Sequence, residues 1–255
     1  MTERMESGRP RRRVALMATC LVDQLAPEVG VAVVRVLRGQ GVEVEFPRAQ
    51  TCCGQAAWNG GLADEARALA ERVIELFEPY EAVVVPSGSC AGMLHHGYAE
   101  IFRDDEAWLP RARALAAKTH EFSQYLVRVL GVVDLGAQRA GACAYHPSCH
   151  ATRVLGLGDE PRRLLAAVRG LELVPLPRAE DCCGFGGSFC AKLPELSDAI
   201  VGAKVAHLAQ SGADTLVSTD VGCLLNIQGA CRHRGLPIEA LHIAQVLERR
   251  AGGAA

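Results

Sequence analysis

Two stretches of the chain place adjacent cysteines before a glycine: TCCGQAAWNGG at residues 51–61 and DCCGFGGSFC at residues 181–190. Cys20 precedes the Cys52–Cys53 pair and Cys90 follows it, while Cys149 and Cys223 flank the Cys182–Cys183 pair in the same way. The steps are 32 and 37 residues in the first set and 33 and 40 in the second. Three chemistries compete for such sets: disulfides, structural zinc and an iron–sulfur cluster. Adjacent cysteines do not easily bridge to each other. The C-x₂₋₄-C knuckles usual for zinc are absent. A cluster spans several irons, so neighbouring thiolates at a turn reach different metal atoms. The glycine after them permits positive φ and aims N–H groups at sulfur. Iron–sulfur ligation therefore fits the residue types best, with zinc and purely structural thiols as the alternatives.

Three further cysteines lie outside the sets. Cys143 and Cys231 read as small buried hydrophobes. Cys190 follows Cys183 by seven residues, where the first repeat has Gly60, so a ligand role there lacks a counterpart. The segment YHPSCHATR surrounds Cys149 with His146, His150 and Arg153. Two readings of it stand side by side: histidines that donate to sulfur or relay protons, and a polar loop capping a helix. His95 and His96 read as surface or satisfied core residues, because helix neighbours face different directions. Other cofactor signatures fail. Phe189 takes the third glycine's place in GFGGSF, and neither a Walker A loop nor a ferredoxin-type C-x₂-C-x₂-C-x₃-C run is present.

The elements that must position these cysteines alternate. Strands are predicted over 12–19, 42–46 and 81–86, with helices over 26–41 and 62–80 between them. A helical, charged bridge spans about 103–131. The order then recurs: strand 140–146, helix 161–170, strand 171–176, helix 193–212, strand 214–219 and a final amphipathic helix over 238–250. Short β-branched runs between amphipathic helices predict parallel strands joined by right-handed crossovers. Each cysteine of a set falls just past a predicted strand, at the rim where open α/β sheets carry ligands. The expected fold is α/β: two pseudo-symmetric Rossmann-like units, each with a mainly parallel sheet and a CCG motif at the strand C-terminal rim. The expected division is residues 1–131, with the bridge, and residues 132–255.

Composition narrows the function classes. The 255 residues are 49% hydrophobic and 22% charged, ordinary for a globular protein, and the net charge of −2 gives no reason to expect nucleic acid or an anionic membrane. The N-terminal RPRRRVALMATC has an apolar run, Val14 to Ala18, that is too short for a signal peptide, and no segment is apolar and long enough to span a membrane. The expected compartment is the cytoplasm, where thiols stay reduced.

The two sets resemble the cysteine-rich CCG domain, found twice in one of the subunits of heterodisulfide reductase, in the iron–sulfur subunit of glycolate oxidase and in the lactate utilization protein A family. The nearest resemblance is to the last. It is carried by TCLVDQLAPEVG, CCGQAAWNGG, PSGSCAGM, SCHATRVLG, CCGFGGSF, GCLLNI and HIAQVL, which together cover essentially the whole chain. The resemblance implies one or two iron–sulfur clusters of the four-iron type. It places Cys20, Cys52, Cys53 and Cys90 on the first motif and Cys149, Cys182, Cys183 and Cys223 on the second. It further implies an oxidoreductase component that transfers electrons in a multi-protein system oxidising L-lactate to pyruvate. The implied partners are lactate utilization proteins B and C, a ferredoxin-type cluster protein and a third component. A catalytic subunit like that of heterodisulfide reductase, or an iron–sulfur subunit like that of glycolate oxidase, is the alternative. Where heterodisulfide reductase ends each motif in C-x-x-C, this chain has Met93 and Asn226. That departure favours electron carriage over disulfide reduction.

Overall fold

The computed structural model describes residues 12–248. Residues 9–11 of the basic run and 249–250 of the expected last helix lie outside the described residues. Eight strands form two four-stranded sheets: β1 (Arg13–Leu16), β2 (Glu43–Glu45), β3 (Val83–Val85) and β4 (Thr119–Glu121), then β5 (Gln138–Tyr145), β6 (Arg169–Val174), β7 (Thr215–Ser218) and β8 (Glu239–His242). The first sheet runs β2-β1-β3-β4 and the second β6-β5-β7-β8, and every pairing within them is parallel. The same strand order twice makes the two halves pseudo-symmetric. The inner strands β3 and β7 are buried along their whole length, as expected of parallel strands covered on both faces.

Helices join the strands as expected, at Pro27–Gly39, Ala63–Phe77, Glu160–Ala166 and Pro194–Gln210. Two expectations need correction. The bridge is not wholly helical: after the helix Trp108–Lys118 it contributes β4, which pairs with β3. The last segment is not wholly helical either, because β8 pairs with β7 before the helix Ile243–Glu248 begins. Both are edge strands of helix-compatible residues, and tertiary pairing overrides their local propensity. They also expose a further repeat, HEFSQYL against LHIAQVL. Glu121 and His242 occupy equivalent positions in it, both fully buried, and each caps the helix that follows. The Glu121 carboxylate accepts from the backbone N–H of Ser123 at 2.9 Å and of Gln124 at 3.2 Å, and His242 Nδ1 accepts from Ala244 at 3.2 Å.

The halves share a core. Val14, Leu16, Val36 and Leu37 of the first pack in one cluster with Tyr145, Val217, Leu241 and Val246 of the second. This apolar seam fixes the two strand rims relative to each other.

Candidate metal centre

In the first half Cys20 opens the helix Cys20–Leu25, Cys52 and Cys53 sit in the loop after β2, and Cys90 lies in the short helix Gly88–Gly92. Cys20 Sγ is 3.7 Å from Cys52 Sγ, and Cys53 Sγ is 3.4 Å from Cys90 Sγ. In the second half Cys149 opens the helix Cys149–Arg153 and Cys223 lies in the first turn of the helix Val221–His233. Cys183 Sγ is 3.0 Å from Cys223 Sγ. All eleven cysteines are free thiols. Each quartet runs from surface to core: Cys20 and Cys182 are exposed, whereas Cys53, Cys90, Cys183 and Cys223 are buried.

The glycine of each CCG is needed for two reasons. Gly54 and Gly184 have φ of 83° and 79°, in the left-handed region. Their backbone N–H groups donate to Cys52 Sγ at 3.5 Å and to Cys182 Sγ at 3.3 Å. A Cβ at Gly184 would lie 2.7 Å from the Ser197 carbonyl oxygen, and one at Gly54 would lie 3.3 Å from that of Ala66. Side-chain donors hold the loops from behind. Tyr98 Oη donates to the Cys53 carbonyl at 3.0 Å, and Asn226 Nδ2 to the Cys183 carbonyl at 2.8 Å.

Crowding splits the thiols of each quartet. Cys52 is lowered to about 2, chiefly by hydrogen bonds from Cys20 and Cys53. Cys182 is likewise lowered to about 2 by Cys149 and Cys183. Cys20, Cys53, Cys149 and Cys183 are pushed up, first by the hydrogen bonds they donate and then by burial. Four thiols this close cannot all ionise without positive charge among them. The donor set therefore fits a compact cation with several metal atoms and preformed N–H donors for its sulfurs.

All eight cysteines line one cavity of about 380 Å³ that opens between the two rims. The seam crosses it at Ser87, Ser89 and Asp220. Asp220 accepts from Ser87 Oγ and Ser89 Oγ, both at 2.7 Å, and from the Ser89 backbone N–H at 3.0 Å.

The remaining candidates separate cleanly. Cys143 and Cys231 are buried in apolar clusters and do not line the cavity, and burial pushes the Cys143 thiol up to about 11. Cys190 Sγ donates to the Gly187 carbonyl at 3.3 Å and does not line the cavity. His150 does line it, with Nδ1 3.6 Å from Cys149 Sγ. His146 is 1% exposed, and a ring nitrogen lies within 4.8 Å of Cys183 Sγ and Cys223 Sγ. Arg153 turns away to the Glu180 carbonyl at 3.1 Å. His95 Nε2 is 2.9 Å from the Thr119 carbonyl oxygen, in keeping with a satisfied core residue. Met93 is buried in the first half's core and Asn226 is engaged with Cys183, so neither position adds a thiol.

Asp220, with its two serines, and the buried Lys204 do not stand out in the sequence. Aligning PSGSC with TDVGC finds Asp220, since it sets that residue opposite Ser87. Lys204 lies mid-helix and carries no comparable signal.

Comparison with known proteins agrees with this geometry. The cysteine-rich domain family CCG matches residues 14–95 and 143–228, once in each half. The chain is 49% identical over 238 residues to lactate utilization protein A of Geobacillus kaustophilus, covering 93% of this chain and 99% of that one. It is 47% identical over 244 residues to lactate utilization protein A 1 of Bacillus mycoides, covering 94% and 99%. Among solved structures, an Asp/Glu racemase from Yersinia pestis aligns over 93% of this chain and 96% of its own, at 10% identity and a TM-score of 0.40.

Proposed function

The chain belongs to the lactate utilization protein A family of cysteine-rich CCG-domain proteins, and on that footing we propose that it is an iron–sulfur electron-transfer component of an L-lactate-oxidising system. Cys20, Cys52, Cys53 and Cys90 would hold one four-iron cluster, and Cys149, Cys182, Cys183 and Cys223 a second, in units spanning residues 1–131 and 132–255. Such a cluster, when bound, takes up and gives back one electron at a time. The observation that carries the reading is the convergence of all eight thiols, four from each half, on a single cavity.

The chain's own groups supply the setting. The N–H groups of Gly54 and Gly184 stabilise negative charge on sulfur. The buried members of each quartet exclude water on the core side, and the exposed Cys20 and Cys182 leave one edge open to a partner. By its family name the system is lactate utilization, and the partners would be lactate utilization proteins B and C, in the cytoplasm. Among the described residues no helix is long and apolar enough to cross a membrane.

The shared cavity favours a second reading. Both quartets face one common cavity that is also lined by Ser89, His150 and Asp220, the kind of shared site that catalysis like that of heterodisulfide reductase would need. The absence of thiols at Met93 and Asn226 weighs against it.

Iron and acid-labile sulfide assays on anaerobically purified protein test the proposal, together with electron paramagnetic resonance. Iron and sulfide in similar amounts are expected. Cys183→Ser should strip one cluster's worth of iron, while Cys231→Ser should leave the content nearly unchanged. Colourless protein with stoichiometric zinc defeats the proposal, and equal iron loss in both variants defeats the ligand assignment.

A further inference from the structure

The two quartets are built alike, but their surroundings are not. Met17 and His146 stand three residues before Cys20 and Cys149, and their backbone N–H groups make the same bond, to Val84 at 3.0 Å and to Val217 at 2.8 Å. The two side chains are therefore positional equivalents. One is a thioether in the first half's apolar core. The other is a buried imidazole whose two nitrogens have no hydrogen-bond partner among the described residues. An unpartnered buried imidazole is costly unless something at the site engages it. The nearest candidates are Cys183 Sγ and Cys223 Sγ, within 4.8 Å of a ring nitrogen.

A second, independent difference lies behind the CCG loops. Ala66 and Ser197 are the helix residues whose carbonyls face Gly54 and Gly184, and seven residues further along come Val73 and Lys204. Val73 is an apolar core residue. Lys204 is 1% exposed, and Nζ donates to the carbonyls of Arg178 and Ala179, both at 2.9 Å. Arg178 adopts a φ of 49°, within a turn that presents both carbonyls to the ammonium. No carboxylate lies within ion-pair distance of Lys204 among the described residues. A buried cation needs a counter-charge. Burial lowers its pKa, and the charges that oppose burial are Asp181 and the thiols of Cys183, Cys182 and Cys223.

We propose that His146 and Lys204 make the second quartet the more easily reduced of the two, by stabilising the negative charge gained there on one-electron reduction, while Met17 and Val73 leave the first without such support. This rests on the cluster-binding reading above. His146 acts as a hydrogen-bond donor to ligand sulfur and Lys204 as a fixed positive charge. Both are positioning residues rather than ligands, since four thiolates already complete the set. The consequence is a built-in direction: an electron delivered to the chain by an external one-electron reductant settles in the second half.

The test is a potentiometric titration of the anaerobically reconstituted full chain with dithionite, followed by electron paramagnetic resonance. The native protein should show two separable one-electron reductions, and Cys182→Ser should remove the higher one. His146→Met and Lys204→Val should each move the higher midpoint downward and leave the lower in place. At a fixed poise the reduced fraction ratio of the two centres should fall by roughly ten- to 150-fold, the change that corresponds to about 1.5–3 kcal/mol for a hydrogen bond to a charged group. His146→Gln, which keeps an N–H, should retain most of the native separation. Met17→His should raise the lower midpoint, and it provides the reading if His146→Met fails to fold. Unchanged midpoints in His146→Met and Lys204→Val overturn the proposal, as does an unmoved lower midpoint in Met17→His or loss of the lower wave in Cys182→Ser. Native protein without iron and sulfide instead overturns the cluster-binding reading.

Discussion

Ser87 and Asp220 occupy the same position in the two halves, three residues before the last cysteine of each quartet, and hydrogen-bond to each other at 2.7 Å across the seam. Pseudo-symmetry brings them together, and their difference in type makes the contact work: one donates and the other accepts. Asp220 also takes the Ser89 hydroxyl and backbone N–H, so a single carboxylate ties the turn before Cys90 to the turn before Cys223.

Removing that carboxylate should loosen both turns together. Asp220→Ala removes the acceptor of the Ser87 hydroxyl and of two Ser89 donors, leaving the two hydroxyls each other at 3.1 Å and the Ser89 N–H without a partner, and an unsatisfied buried group costs roughly 1–3 kcal/mol. Denaturant unfolding should register a loss of about that size, and iron retention should fall for both quartets rather than one. Loss confined to the second quartet would show that the seam does not couple them.

The CCG glycines should differ in their tolerance of a methyl group. Both have positive φ, for which an L-residue is penalised by about 1–2 kcal/mol. At Gly184 the added Cβ also meets the Ser197 carbonyl oxygen at 2.7 Å, whereas at Gly54 the nearest atom, the Ala66 carbonyl oxygen, is at 3.3 Å. Gly184→Ala is expected to destabilise the protein more than Gly54→Ala and to lose more iron. Paired thermal melts and iron assays rank the two, and an equal ranking rejects the clash as the cause.

Much of this arrangement is legible in the residues. The CCG repeats, their flanking cysteines and the β-branched runs locate the rim, because thiol chemistry and parallel-strand burial both leave strong local patterns. The edge strands β4 and β8 are not legible. Thr119–Glu121 and Glu239–His242 carry no alternating apolar pattern and are strands only because β3 and β7 lie beside them. Lys204 is hidden for a related reason: a lysine in the middle of the long helix Pro194–Gln210 reads as a solvated position until the loop carbonyls it meets are in place. His146 stands out beside Cys149, yet its isolation from other partners belongs to the packing alone.

Glu121 should leave a pH signature on stability. Burial pushes its carboxyl from 4.5 up to about 7, against the hydrogen bonds from Ser123 and Gln124, and Asp220 adds to the rise. A raised carboxyl binds its proton more tightly in the folded chain. Its stabilising contribution is therefore complete below the unfolded value and is lost as pH rises towards 7, by roughly 3 kcal/mol in all. Glu121→Gln keeps a carbonyl acceptor for the same N–H groups and cannot ionise. Its stability relative to the native chain should thus grow between pH 4.5 and 7 and level off above. Denaturant curves at matched pH values check this, and a difference that does not vary with pH would mean that Glu121 titrates alike in the folded and unfolded chains.

The division of labour in lactate oxidation gives the last expectation. Converting L-lactate to pyruvate removes a hydride equivalent from a carbon bearing a hydroxyl, a step that normally needs a two-electron acceptor such as flavin or nicotinamide. The chain has no complete G-x-G-x-x-G fingerprint, since Phe189 stands at its third glycine, and a cluster held by four thiolates passes single electrons. The purified, cluster-loaded chain is therefore expected not to oxidise L-lactate, even with an artificial electron acceptor present. Oxidation should appear once the partner proteins are added, and should fall when Cys53 or Cys183 is replaced by serine, because each removes a buried thiolate from one quartet. Pyruvate formed by the isolated chain would move the chemistry into the cavity between Asp220 and the two quartets, and make that cavity a substrate site.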